Sequence, residues 1–170
     1  CIRDSPAFVR LEEMIGKVDG VLNAIEIETD LAGKVLFSGP GAGPFPTASA
    51  IVGDIVDLAI SINEKNGTNI PKRVSNNLEI RPITELQTKY YIRLNVADSP
   101  GVFAKVCKIL GDLEISISSA IQKETQQKIR GAEIVLMTHK AKELSLRRAI
   151  TVLKGLDVVN SIGSIVRVED

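Results

Sequence analysis

From Tyr90 to Val168 the hydrophobic period of the chain switches repeatedly between two and 3.6, and few folds satisfy the order in which it switches. Tyr90 to Ala97 (YYIRLNVA) alternates as a strand. Pro100 to Leu110 carries Val102, Phe103, Val106, Ile109 and Leu110 at helical spacing, with Gly111 as a C-terminal stop. Ile115 to Ile121 (ISISSAI) alternates again, Glu124 to Arg130 is polar turn material, and Ala132 to Thr138 (AEIVLMT) is a third strand. Lys142 to Leu153 places Leu146, Ala149, Ile150 and Leu153 on one helical face, and Asp157 to Val168 closes with a fourth strand that Gly163 can interrupt. The order βαββαβ predicts a ferredoxin-like α+β domain, one antiparallel sheet with both helices on one face. The other face needs cover. With only 4% aromatic residues and a small core, pairing with another copy, side by side or face to face, is the expected solution.

The front of the chain reads differently. Val21 to Asp30 (VLNAIEIETD) alternates with Ile25 and Ile27 on one side and Glu26 and Glu28 on the other, Leu31-Ala32-Gly33 breaks the run, and Lys34 to Ser38 resumes it. A β-hairpin ending at Gly39 is expected. Ahead of it, Phe8, Leu11 and Ile15 stand at helical spacing and suggest a short helix over Pro6 to Lys17. After the loop GPGAGPFPTASA (Gly39 to Ala50), Thr47 to Ile62 reads as a helix started by Pro46 and Thr47. Its apolar face is wide, with Asp54, Asp57 and Ser61 as the wet stripe, so burial on more than one side is expected. Residues 64–88 lose all period, contain two prolines and read as an extended linker. The chain thus divides into 1–63, a linker at 64–88, and a domain over 89–170.

Composition excludes several classes. Lys plus Arg and Asp plus Glu are 21 each, with no basic run, so the electrostatic footprint of a nucleic-acid binder is missing. Cys1 and Cys107 cannot build a disulfide framework or a four-ligand metal site, and Cys107 falls on an amphipathic helix as an inert, partly buried thiol. A reducing cytoplasm is the expected location. No apolar run reaches the roughly 18 residues of a membrane span and no signal sequence opens the chain, so no membrane partner is expected. The chain does not begin with Met and is expected to be part of something longer.

Catalytic motifs are missing. There is no HExxH, GxSxG, CxxC or Walker lysine, and the single histidine, His139, lies between a strand and a helix, where a structural or solvated role is expected. No catalytic residue and no metal ligand is assigned. Asp98-Ser99-Pro100-Gly101 is more informative. Pro100 presets a first helical turn, Gly101 leaves room for a close backbone approach, and the free N–H groups of the helix start could receive a carboxylate while Asp98 takes an ammonium group. That pairing suits an α-amino acid; the same residues would equally make a plain capped helix start.

Leu94 to Glu124 (LNVADSPGVFAKVCKILGDLEISISSAIQKE) resembles the ACT domain, a small regulatory module of amino-acid biosynthetic enzymes, through its D-x-P-G turn, the glycine closing the helix and the I-S-I strand. The resemblance implies ligands held between two copies of a homodimer. Asp98, Gly101 and Val102 would form the loop side, and Ile117 with Ser118 the strand side. Gly20 to Ala59 resembles the end of the catalytic part of homoserine dehydrogenase, whose G-x-G-A-G-x-x-P-T-A-S-A-V-x-x-D signature fits with Ile51 in place of Val. This implies NAD(P)-dependent interconversion of aspartate semialdehyde and homoserine by the full-length enzyme. Its dinucleotide fingerprint and catalytic lysine would lie upstream, and these 170 residues alone should neither bind the coenzyme tightly nor turn over. Pathway logic makes threonine the favoured effector. A ligand-free dimerisation module, or an ACT domain on another amino-acid-biosynthetic enzyme, are the alternatives.

Gly39 to Gly43 fails as a dinucleotide fingerprint on its own residues, since Pro44 stands where the third glycine should be and no βαβ unit follows. By resemblance Gly43 lies close to the cofactor, where a side chain would obstruct it.

Overall fold

A computed structural model describes residues 6–63, 80–124 and 131–169. The chain runs β1 (Ala7–Phe8), β2 (Leu22–Thr29), β3 (Gly33–Pro40), α1 (Pro44–Asn63), β4 (Gln87–Val96), α2 (Val102–Asp112), β5 (Ile117–Glu124), β6 (Ala132–Thr138), β7 (Ala141–Lys142), α3 (Glu143–Lys154) and β8 (Val159–Val168). The described residues form two compact units, 10–63 and 6–9 together with 80–124 and 131–169. Cys1 and the linker residues 64–79 lie outside the described residues, as do 125–130 of the polar turn.

The C-terminal unit is the expected βαββαβ domain. Its sheet has the order β1-β8-β4-β6-β5, and β7 pairs the start of β4. Period-two alternation along β4 sends Tyr90, Ile92, Leu94 and Val96 to one face, where they are fully buried. Ala132, Ile134 and Leu136 of β6 join them. Val106 and Leu110 of α2 and Ala149 and Leu153 of α3 close the same core, as 3.6-period apolar stripes must when both helices cover one face. The expected interruption at Gly163 is a β-bulge: Arg93 pairs with Ser164 and Leu94 with Ile162, leaving Gly163 as the extra residue.

Two details differ from expectation. Gly111 does not stop α2, which runs to Asp112. The stop is a Schellman motif, with Ile115 N–H donating to Leu110 O (2.9 Å) and Glu114 N–H to Gly111 O (3.0 Å), and it is Glu114 that takes the left-handed conformation, at φ 60°. The helix expected over Pro6 to Lys17 is also not there. Ala7 and Phe8 pair in parallel with Arg167 and Val168, and helical structure is confined to a 3-10 turn at Ile15–Lys17. Gly16 explains the tight turn, since a Cβ at that position would collide with the Arg10 carbonyl.

The N-terminal unit contains the expected hairpin, with Ile25 opposite Phe37 and Ile27 opposite Val35. Its three-residue loop, Asp30 to Ala32, is followed by Gly33 with φ 66°, and Thr29 Oγ1 accepts from Ala32 N–H (3.0 Å). The apolar face, with Ile25, Ile27 and Phe37, is exposed. Helix α1 is likewise unburied along its whole length, including Ile51, Val52, Ile55, Val56 and Leu58. By length and composition α1 could cross a membrane, contrary to the expectation that no apolar run is long enough; small residues between the aliphatic ones keep its polarity low. Asp54 and Asp57 sit mid-helix, where each carboxylate would cost about 2.5–3.5 kcal/mol at a bilayer centre. That cost favours protein over lipid as the cover for this face.

Candidate functional site

The strand β4 delivers the chain into a tight turn at the helix-covered end of the sheet. Val102 N–H donates to Ser99 O at 3.3 Å, Pro100 occupies the first central position and Gly101 the second, at φ 87° and ψ −9°, which is a type II turn. Gly101 is then the N-cap of α2, its carbonyl accepting from Lys105 N–H at 3.0 Å. Pro100 therefore shapes the turn before the helix instead of opening its first turn. Gly101 is needed for its positive φ, because nothing lies within 4 Å of where its Cβ would stand. No side chain caps α2, so the Asp98 carboxylate is not spent on the helix.

This turn forms one wall of a cavity of about 350 Å³, lined by Asp98, Gly101, Val102 and Phe103 from the loop and by Gln122 and Ile134 from the sheet. Three of the expected site residues, Asp98, Gly101 and Val102, are thus together. Ile117 and Ser118 are not with them. Ile117 packs against the core, and Ser118 is the exposed extra residue of a bulge between the pairs Ile117–Thr138 and Ser119–Met137. Gln122, register partner of Ile134, supplies the amide on this wall. Sequence reading missed it because β5 was expected to end at Ile121. Among the described residues, a second cavity, of about 410 Å³, is lined by Arg81, Pro82, Ile83, Glu85, Leu86 and Gln87.

At the Gly/Pro loop, α1 starts earlier than expected. Gly43 is followed by Pro44 as the first helical residue, and its carbonyl accepts from Thr47 N–H at 3.2 Å. Pro44 and Pro46 remove two of the amides that a helix start offers an anion. Gly43 has φ 125°, and the atom nearest to a Cβ there would be Pro46 Cδ at 3.5 Å. Within this unit its glycine is required by conformation. The loop therefore offers few free amides to a phosphate.

A buried polar cluster lies elsewhere in the C-terminal unit. Glu143, at the first turn of α3, accepts from Tyr90 Oη (2.9 Å), Arg147 Nε (2.8 Å) and Arg167 Nη2 (3.2 Å). Burial alone would raise the Glu143 carboxyl, but these donors outweigh it and hold the pKa below the usual value. Burial, with the Glu143 hydrogen bond, pushes the Tyr90 phenol well up. No sequence motif announces this cluster, because its members are separated by up to 77 positions and meet only through β4, α3 and β8. Cys107 is half-buried on α2 and burial raises its thiol pKa; His139 is exposed in the turn after β6. Among the described residues no group of His, Cys, Asp and Glu could hold a metal ion.

Residues 2–56 match the homoserine dehydrogenase family and residues 90–158 the ACT domain family. Along 99% of its length the chain is 36% identical to homoserine dehydrogenase of Helicobacter pylori, and along 96% it is 37% identical to that of Mycobacterium tuberculosis. The chain is thus similar to homoserine dehydrogenases along nearly its whole length. It spans 39% and 38% of those two relatives and matches their kind through the C-terminal, ACT-bearing part. The crystal structure of a homoserine dehydrogenase from Thiobacillus denitrificans superposes with a TM-score of 0.73 at 33% identity, over 96% of this chain and 38% of that one. The hairpin and most of α1 lie in the segment that matches homoserine dehydrogenase, and the βαββαβ unit is the ACT domain.

Proposed function

We propose that this chain is the regulatory and dimerising C-terminal part of an NAD(P)-dependent homoserine dehydrogenase that interconverts aspartate semialdehyde and homoserine in the cytoplasm. The observation that carries the regulatory reading is the cavity at the Asp98–Gly101 turn. There an uncommitted carboxylate, which suits an ammonium group, stands beside the α2 N-terminus, which suits a carboxylate. An α-amino acid presents both groups, and threonine is the favoured one. Regulation follows if it binds better to a less active arrangement, since an effector shifts a population only by its differential affinity.

The catalytic half of the reading rests on the family. The coenzyme would supply hydride transfer. Gly43 and the bare backbone around it would form one wall beside it, and the exposed apolar faces of α1 and the hairpin would be covered by the remainder of the catalytic domain. These 170 residues expressed alone should show no homoserine oxidation.

Calorimetric titration of the full-length protein with threonine, methionine, isoleucine, lysine and serine tests the effector. Threonine binding that Asp98→Ala removes, with the dimer intact, supports the reading. No binding of any of the five at millimolar concentration favours a ligand-free dimerisation module instead.

A further inference from the structure

Strand β1 stands in two places at once. By sequence it lies within the segment that matches the homoserine dehydrogenase family, residues 2–56. By structure it is the edge strand of the ACT sheet. Ala7 and Phe8 pair with Arg167 and Val168, Glu169 N–H donates to Phe8 O at 2.9 Å, and the Phe8 ring meets Tyr91 of β4 edge-on at 5.4 Å. The hairpin and α1 are therefore an insertion between two strands of one sheet, leaving it after β1 and returning at β4.

The attachment is short. Two residues pair, and Phe8 remains half exposed, so β1 can leave β8 without opening the core, whose buried residues all lie between Tyr90 and Leu153. Its partner Arg167 also holds Glu143 at the start of α3. A change in β1 seating is thus registered by the residue that anchors α3, and a shift of β8 is felt by the chain entering the hairpin.

We propose that β1 is a coupling strand: a detachable piece of the catalytic-family segment, seated on β8, whose attachment links the ACT sheet to the hairpin that follows it. The link does not depend on which amino acid the ACT domain binds, or on whether it binds one. Two-state elements of low local stability are where such coupling resides.

Hydrogen exchange on the full-length protein tests this with Phe8→Ala, a substitution at a half-exposed position outside the core. Coupling requires exchange about tenfold faster both in β8 and in the hairpin Leu22 to Pro40, with β5 and β6 unchanged. Faster exchange in β8 alone makes β1 a passive edge cover and overturns the proposal. So does unchanged exchange throughout, and so does uniform acceleration that includes β5 and β6. If no amino acid binds the wild-type protein, the regulatory reading falls while the exchange result still decides the coupling.

Discussion

The Tyr90 hydroxyl donates to Glu143 Oε2 at 2.9 Å across the interface between β4 and α3. It thereby ties the start of one ACT helix to the middle of the sheet. The same carboxylate accepts from Arg167, whose side chain is 11% exposed. Removing one donor and removing the acceptor are not equivalent changes. Tyr90→Phe deletes one hydrogen bond and should cost about 1–2 kcal/mol. Glu143→Gln removes the buried negative charge that Arg147 and Arg167 share and should cost about 3 kcal/mol. Urea unfolding of the two variants should rank them in that order; equal losses would mean that the cluster is solvated.

The pH dependence follows from the direction of the Glu143 shift. Its folded-state pKa lies below the unfolded one, so the unfolded state takes up the proton first. The stabilisation is complete above the unfolded carboxylate value and is lost as the pH falls through the folded one. The stability gap between wild type and Glu143→Gln should be constant from pH 8 to about 6 and shrink below about 4. A gap that widens on acidification would reverse the sign and refute the assignment.

The ACT half was legible because its two periods are clean: β6 was readable to the residue, and β4 and α3 to within a few positions. What escaped depends on contacts distant in sequence. Glu143 looks like an ordinary first-turn acid until Tyr90 and Arg167 surround it. Phe8 stands at helical spacing with Leu11 and Ile15, yet β8 offers Ala7 and Phe8 an open edge, and pairing overrides a weak local pattern. Gln122 was lost through a boundary, since β5 carries its alternation into residues that read as turn. In the front unit Ile25 and Ile27 share a face as expected, and among the described residues that face is exposed.

Glu114 holds the left-handed position of a Schellman motif that glycine normally fills. A side chain there costs about 1–2 kcal/mol, offset in part by the greater unfolded-state entropy of glycine. Glu114→Gly should stabilise the protein by about 0.5–1 kcal/mol, read as a higher melting temperature with unchanged ligand response. Gly111→Ala, inside the helix with no atom within 4 Å of the new Cβ, should also stabilise, by a similar amount.

The proposed amino-acid site makes a sharper demand on Gln122. Gln122 lines the same cavity as the Asp98–Gly101 turn, and only the ligand's side chain would be left for it to recognise. Asp98→Ala should weaken every amino acid alike, because it removes the ammonium partner. Gln122→Leu should weaken hydroxyl-bearing amino acids by about tenfold relative to isoleucine. Calorimetry with threonine and isoleucine on both variants distinguishes the two roles; parallel losses would deny Gln122 any part in selection.

Assembly is the last consequence, and it turns on the two ends of the sheet. At one end β8 is covered by β1; at the other, β5 pairs only with β6 among the described residues and presents an eight-residue edge. Unpaired edges of that length invite a second copy unless charge or proline blocks them. Along Ile117 to Gln122 neither occurs, and the stretch is uncharged: Ile, Ser, Ser, Ala, Ile, Gln. A two-fold pairing of β5 with its copy would use the same surface twice and close at two subunits. Ile121, 54% exposed, would be shielded in that dimer, so Ile121→Lys loses apolar burial in both copies and sets like charges near one another. The dimer should weaken by at least about tenfold, with the core and melting temperature of each subunit little changed. Sedimentation equilibrium gives the answer directly, and a variant that dimerises as tightly as the wild type would move the interface away from β5.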